Sequence, residues 1–182
     1  MARIQGDRIV LREFWQEDLE DIHSWACDPR TAAMLGEVFI RPRTREQTQE
    51  YLDNLLEGGS GANFVIADGD SLNYLGQCSL MMVDGIARKA ELAMVLREEC
   101  AGQGFGYEAG QLVIRFAFFH LNLRRLWLKV LAENARAIRL YKKLGFRVEG
   151  RLREDSFRAG HYEDVLVMGL LRQEWHEEGG DT

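Results

Sequence analysis

Apolar residues recur along this chain at two spacings, and the places where the spacing switches mark its elements. Arg8-Ile9-Val10-Leu11-Arg12-Glu13-Phe14 has strand character. From Gln16 to Cys27 the apolar positions Leu19, Ile22, Trp25 and Ala26 fall at helical spacing, and Asp28-Pro29 interrupts it. Pro42 and Thr44 precede a second helix, with Thr44 and Gln47 set as a capping-box pair, running to about Glu57. Gly58-Gly59-Ser60-Gly61 reads as a flexible loop. Short strands follow at Asn63 to Ala67, Tyr74 to Val83 and Ala90 to Leu96, with turns at Asp68-Gly69-Asp70 and Asp84-Gly85.

Gly102-Gln103-Gly104-Phe105-Gly106 opens a helix whose apolar stripe is Phe105, Ala109, Leu112, Val113 and Phe116. Arg125 to Leu131 is a strand in which Leu126, Leu128 and Val130 alternate with Trp127 and Lys129. Asn134 is an N-cap for a helix to Leu144, and Gly145 stops it. Phe146 to Leu152 and Tyr162 to Leu171 complete the strands, and the polar stretch from Glu174 to Thr182 is expected to fray. No internal repeat or domain boundary interrupts this order. It predicts one mixed α/β sheet in a single domain over residues 1–172, with 173–182 as a tail.

Length and charge bound the function. A chain of 182 residues buries a sizeable core without disulfide or metal staples. Its net charge of −6 argues against a general nucleic-acid binder, which needs basic residues on its docking face. That charge is uneven: Arg115 to Arg147 carries nine basic residues and one acid, a local +8 that leaves −14 for the remainder. A basic block in an acidic chain suggests an anionic ligand held in one place. The three cysteines form no C-x-x-C pair, and the sequence shows neither a signal core nor an apolar run long enough to span a membrane. A cytoplasmic protein without membrane attachment is expected. Four scattered histidines without H-E-x-x-H predict no metal.

The strongest local signal is strand, glycine-rich loop, helix start. Successive amides at a helix N-terminus form an anion site, and glycine lets a phosphate come close to the backbone. Gly104-x-Gly106-x-x-Ala109 formally matches a dinucleotide fingerprint. However, Arg97-Glu98-Glu99 separates strand from glycines, and Arg124-Arg125-Leu126 stands where a ribose-binding acid belongs. No G-K-[ST] follows, which excludes a P-loop. A glycine-rich turn without a ligand is the competing reading. The second signal is Asn134 to Phe146, where Asn134 and Tyr141 lie seven residues apart, two turns along one helix face. Read alone, Tyr141 is packing.

Together these blocks resemble the GNAT family of acetyl-coenzyme A-dependent N-acetyltransferases. The likeness runs from Val10-Leu11-Arg12 to about Leu171 and rests on four ordered blocks. These are Ala90-Glu91-Leu92, then Gly102 to Gly106, then Glu133-Asn134-Ala135-Arg136-Ala137 with Leu140-Tyr141 and Leu144-Gly145-Phe146, and finally Gly160-His161-Tyr162-Glu163-Asp164-Val165. The branch it looks most like holds spermidine N-acetyltransferases and ribosomal-protein N-terminal acetyltransferases. The resemblance implies a splayed, mostly antiparallel sheet flanked by helices, with acetyl-coenzyme A as co-substrate.

It also implies roles. The pyrophosphate would sit on the amides of Ala101, Gly102, Gln103, Gly104, Phe105, Gly106 and Tyr107. Pantetheine would lie beside Met94, Val95 and Leu96, where a strand N–H polarises the thioester carbonyl. Asn134 and Ala137 would contact the cofactor, and Lys143, with Arg136, Arg139 and Lys142 as further candidates, its phosphates. Tyr141 would protonate the departing thiolate. Glu91 matches a base or water-organising position, against the reading of a surface carboxylate on a half-buried strand. Two departures stand out: Ala101 replaces the Gln or Arg that usually opens the loop, and Glu37 to Arg45 is largely basic where polyamine enzymes are acidic. Cys100 is read as inert packing. The expected partner is a primary amine: a protein N-terminus first, a polyamine second, a small-molecule amine such as an antibiotic third. The family also leaves room for a homo-oligomer, dimer or larger. A non-catalytic acyl-CoA-binding sensor is the alternative from another class, and a nicotinamide-dinucleotide oxidoreductase the third.

Overall fold

The computed structural model describes residues 3–28, 43–58, 61–158 and 160–176. Eight strands form one sheet: β1 (Ile4–Gln5), β2 (Ile9–Arg12), β3 (Ala62–Asp68), β4 (Tyr74–Asp84), β5 (Lys89–Leu96), β6 (Arg125–Leu131), β7 (Arg147–Arg158) and β8 (His161–Leu171), in the order β1-β2-β3-β4-β5-β6-β8-β7. Among the described residues four α-helices cover it: α1 (Leu19–Cys27), α2 (Arg45–Leu56), α3 (Phe105–Arg115) and α4 (Ala135–Lys143). Every neighbouring pair is antiparallel except β5 and β6.

The alternation along the strands sorts side chains onto two faces. Phe64, Ile66, Cys78, Leu80, Leu92, Leu126 and Leu128 join Ala109, Val113, Tyr141 and Leu144 in the larger core, so α3 and α4 lie on that face. Val65, Ala67 and Tyr74 join Ile22, Trp25 and Leu52 in a second core under α1 and α2. Gly106 and Gly110 let helices and strand approach closely. A methyl on Gly110 would stand 2.4 Å from Leu144, and one on Gly106 would stand 3.2 Å from both Leu140 and Leu96.

The predicted helix ends are found as expected. Thr44 accepts from the Gln47 amide at 3.2 Å while Gln47 accepts from the Thr44 amide at 3.1 Å. Asn134 accepts from the Ala137 amide at 3.0 Å, and Gly145 takes φ +98° past the end of α4. The structure differs elsewhere. A two-residue β1 precedes β2. The first helical stretch begins as a single 3-10 turn, Gln16–Asp18. α3 runs on into a π-type turn, Phe116–His120.

β7 does not end at Leu152 but continues to Arg158, because two register shifts absorb its polar middle. Asp164 holds the second shift: its carboxylate accepts from the Glu154 amide at 2.8 Å and from Arg151 at 2.5 Å. The chain is still packed at Trp175, whose ring is buried against Phe118 and Phe119, so the order expected to fail from Glu174 persists beyond it. The loop expected at 58–61 falls partly, and the stretch 37–42 and the tail 177–182 fall wholly, outside the described residues.

One strong feature gave no sequence signal. Arg12 and Asp18, both buried, form a bidentate pair at 2.7 and 2.9 Å, and Asp18 also accepts from the Trp15 amide at 2.8 Å. It fixes the turn from β2 into α1. Removing one partner of such a pair leaves a bare buried charge and costs about 3–5 kcal/mol.

Candidate active site

The site begins where the sheet comes apart. β5 and β6 pair at Lys89–Arg125, Ala90–Leu126 and Glu91–Trp127, and no further. Beyond that point β5 stays paired with β4 up to Leu96, while β6 stays paired with β8 up to Leu131. A wedge therefore opens between Leu92–Leu96 and Leu128–Leu131. Beyond Leu92 the alternate backbone groups of β5 that would have met β6 lie past the end of that ladder. Buried strand edges of this kind demand a partner. Met94, Val95 and Leu96 line it, with Met94 and Leu96 toward the face of α3 and α4, and Val95 toward α1 and α2.

The turn Glu98–Cys100 carries the chain from β5 to the glycine loop at the mouth of the wedge. Gly102 and Gly104 take φ +77° and +90°, a left-handed backbone that side chains disfavour. Gly104 starts α3, its carbonyl accepting from the Tyr107 and Glu108 amides at 3.0 and 3.2 Å. The amides of Phe105 and Gly106, ahead of that first bond, have no partner within the helix. Ala101, Gly102, Gln103, Gly104, Phe105, Gly106 and Tyr107 thus form one continuous run of backbone from the turn into α3. Gln103 is tied back to the Glu99 carbonyl at 2.6 Å, and the Lys143 ammonium lies 4.0 Å from the centre of the Tyr107 ring.

α4 supplies the other wall. Asn134 spends its carbonyl oxygen on the cap to Ala137, which leaves its NH2 end for another partner. Tyr141 is buried, edge-on to Phe146 with ring centres 5.8 Å apart, and lies beside Cys78 of β4. Burial, with the Cys78 thiol adding to it, pushes the phenol up to about 12. Cys78 is likewise pushed up to about 12 by burial. Cys100 is raised by burial and by Glu99, so it is no thiolate, in line with packing.

Glu91 faces the other side of the sheet. Its cross-strand partners Met81 and Trp127 share that face, as do Lys129, Leu131, Val165 and Glu163 by their register. Burial raises the Glu91 carboxyl, opposed by Lys129. Sequence reasoning missed the groups that share this face at the far end of β6. Glu163 meets His161 at 3.0 Å and Arg158 at 4.0 Å, and Lys129 meets Asp155 at 3.9 Å. The signal lay in Gly160 to Val165, but only the strand register shows which of these residues share the face of Glu91.

The structure also redraws the basic block. Arg125 is bound to Glu149, Lys129 to Asp155, Arg136 to Glu98 and Arg147 to Glu174. Of the four cations proposed for phosphates, Arg136 is therefore occupied by the turn before the loop, whereas Lys143 lies against the loop's own helix.

The model of the acetyltransferase (GNAT) domain family matches residues 8–147. The chain belongs to the GNAT family. GNAT enzymes transfer acetyl groups from acetyl-coenzyme A to amines. The uncharacterised N-acetyltransferase p20 of Bacillus licheniformis is 31% identical, covering 96% of this chain and 99% of that protein. The spermidine N(1)-acetyltransferase of Escherichia coli K12 is 29% identical, over 96% and 93% of the two chains. Among solved structures, spermidine N-acetyltransferase from Vibrio cholerae, in complex with CoA and spermine, superposes with a TM-score of 0.82 at 27% identity, covering 92% of this chain and 97% of that one. The expected splayed GNAT sheet is the one found, and the dinucleotide reading of the glycine loop falls away.

Proposed function

We propose that this GNAT enzyme acetylates a primary amine by direct attack within a ternary complex assembled in the wedge between β5 and β6. The observation that carries the reading is convergence. A Cβ on Gly106, at the start of α3, would stand 3.2 Å from Leu96 of β5 and from Leu140 of α4, so the glycine loop, the β5 edge beyond its pairing with β6 and the helix that carries Asn134 and Tyr141 adjoin one another. The residues fit acetyl-coenzyme A. The left-handed glycines leave the loop backbone open to a phosphate, and the free strand edge matches an extended amide-bearing arm.

Bound acetyl-coenzyme A supplies an activated thioester. The chain's own groups do the rest. Loop amides and Lys143 hold the phosphates. A strand N–H from Leu92–Leu96 donates to the thioester carbonyl oxygen, where negative charge develops. Glu91, directly or through water, takes the proton that the ammonium must lose before it can attack. As the new C–N bond forms and the C–S bond breaks, Tyr141 gives its proton to the sulfur, and the second proton shed by the acetylated nitrogen leaves to solvent, from which the phenol is reprotonated.

For the acceptor, polyamine moves ahead of protein N-terminus. Two of the relatives named above are spermidine acetyltransferases, and the carboxylates of Glu91 and Glu163 lie on one face of the sheet. Self-association belongs to the same reading, since a Vibrio cholerae spermidine N-acetyltransferase structure is described as dodecameric. Thiol release from acetyl-coenzyme A, followed with spermidine, an N-terminal peptide and an aminoglycoside, tests the reading, with product masses to identify the acetylated amine. Spermidine turnover is expected, with kcat lowered about 100-fold in Tyr141→Phe. Full turnover by the Phe variant ends the acid role of Tyr141, and a peptide product without a spermidine product restores the protein N-terminus.

A further inference from the structure

The loop assigned above to the cofactor phosphates lacks a polar side chain at its opening position, Ala101. A cation reaches the same loop from the far side of the sheet. The start of β2 and the end of β5 share one end of the sheet, and this brings Arg8 onto the N-terminus of α3. Its Nη1 donates to the Gln103 carbonyl at 3.0 Å, its Nε donates to Glu108 Oε2 at 3.3 Å, and its guanidinium lies 4.8 Å from the centre of the Phe105 ring. Glu108 Oε1 separately accepts from the backbone amides of Arg8 and Ile9 at 2.8 and 3.2 Å. The next residue, Gly104, has φ +90°, which favours glycine, and a Cβ there would stand 2.9 Å from Arg8 Nη2 and push the guanidinium from its place.

A trans peptide is planar, so its C=O and N–H point in opposite directions. A carbonyl of Gln103 drawn toward Arg8 turns the Gly104 N–H the other way, away from β2 and toward the wedge. We propose that Arg8 is a positioning residue for the cofactor loop, locking the Gln103–Gly104 peptide with its N–H presented to the pyrophosphate. This rests on the cofactor site of the preceding section. It gives the loop, through a guanidinium from another strand, the side-chain support missing at Ala101. The role is separable from simple stapling of β2 to α3, because the two backbone amides bound to Glu108 survive truncation of the Arg8 side chain.

The test uses three thiols that differ in phosphate, the last of which also lacks the adenosine. Coenzyme A carries pyrophosphate and 3′-phosphate, dephospho-coenzyme A keeps the pyrophosphate alone, and pantetheine has neither. Calorimetric Kd values for the free thiols and kcat/KM for the acetyl thioesters are measured in wild type, Arg8→Ala and Arg8→Lys, alongside denaturant unfolding. Arg8→Ala should weaken coenzyme A and dephospho-coenzyme A equally, by about tenfold, as expected for loss of one charge-assisted hydrogen bond. It should leave kcat/KM for S-acetylpantetheine unchanged, and Arg8→Lys should recover part of the loss. Weakening confined to coenzyme A means direct contact with the 3′-phosphate and overturns positioning. Equal damage with S-acetylpantetheine means a structural role only, and unchanged Kd values mean none. If wild type turns over no thioester, the enzyme reading fails instead, and the calorimetric series still decides the role of Arg8.

Discussion

A phenol that is to protonate a thiolate must hold its own proton at neutral pH, and a carboxylate that is to accept one must have lost it. Burial raises both groups, and so helps Tyr141 and opposes Glu91. Tyr141 stays protonated far above neutrality, so it contributes no titration to the working range. Glu91 ionises above the usual carboxylate range, with Lys129 pulling it back down. If Glu91 is the base, the acid limb of kcat/KM should lie above that of an ordinary carboxylate. Lys129→Ala should move that limb further up, and Glu91→Gln should remove it. The stability sign follows from the same shift. A carboxyl raised in the folded state contributes stability fully below its unfolded value and loses it as pH rises through the folded one. Glu91→Gln should therefore leave unfolding stability at pH 7 equal to or above wild type. A pH profile unchanged by Glu91→Gln assigns Glu91 to the surface-carboxylate role.

At the level of the element, α4 uses one residue twice. Asn134 caps the helix through its carbonyl oxygen, and the proposed site gives its NH2 to the cofactor, so truncation confounds the two roles. Asn134→Ala should cost about 1 kcal/mol of stability by denaturant unfolding and also weaken coenzyme A binding. Asn134→Asp keeps the cap oxygen but has no NH2, so it should keep the stability and still lose the affinity. Equal affinity for Asp and Asn variants would leave the residue a cap only. The cap was legible in the sequence because its signal is local, as were Thr44–Gln47 and every strand from Ala62 to Leu131. The wedge was not legible as geometry. Nothing in Lys89–Leu96 marks where pairing with β6 stops, and only a family resemblance pointed to it. Arg8 at the loop and the Arg12–Asp18 pair were invisible for a different reason: the first joins residues about a hundred positions apart, and the second turns on burial, which no spacing encodes.

At the scale of the whole molecule, the uneven charge of the chain is a question of where its cations end up. Read along the sequence, Arg115 to Arg147 is a +8 block suited to an anionic ligand. Folded, that block is dispersed. Arg125, Lys129, Arg136 and Arg147 each meet an acid from outside the block, and the sheet carries Arg125 away from the loop altogether. Of the proposed phosphate cations, Lys143, at the end of α4, reaches across to the Tyr107 ring on the first turn of α3. Exposed charges act over about 8–10 Å at ordinary salt, so a partner already in place nearly cancels a distant guanidinium while Lys143 keeps its field at the loop. Lys143→Ala should therefore weaken coenzyme A several-fold at low ionic strength, with the difference from wild type shrinking as salt rises. Arg125→Ala should leave the affinity unchanged at every salt concentration. Calorimetry over a salt series checks both. If Lys143→Ala and Lys142→Ala match wild type throughout, the cations of α4 form a solvated helix face, and the phosphates are held by backbone amides alone.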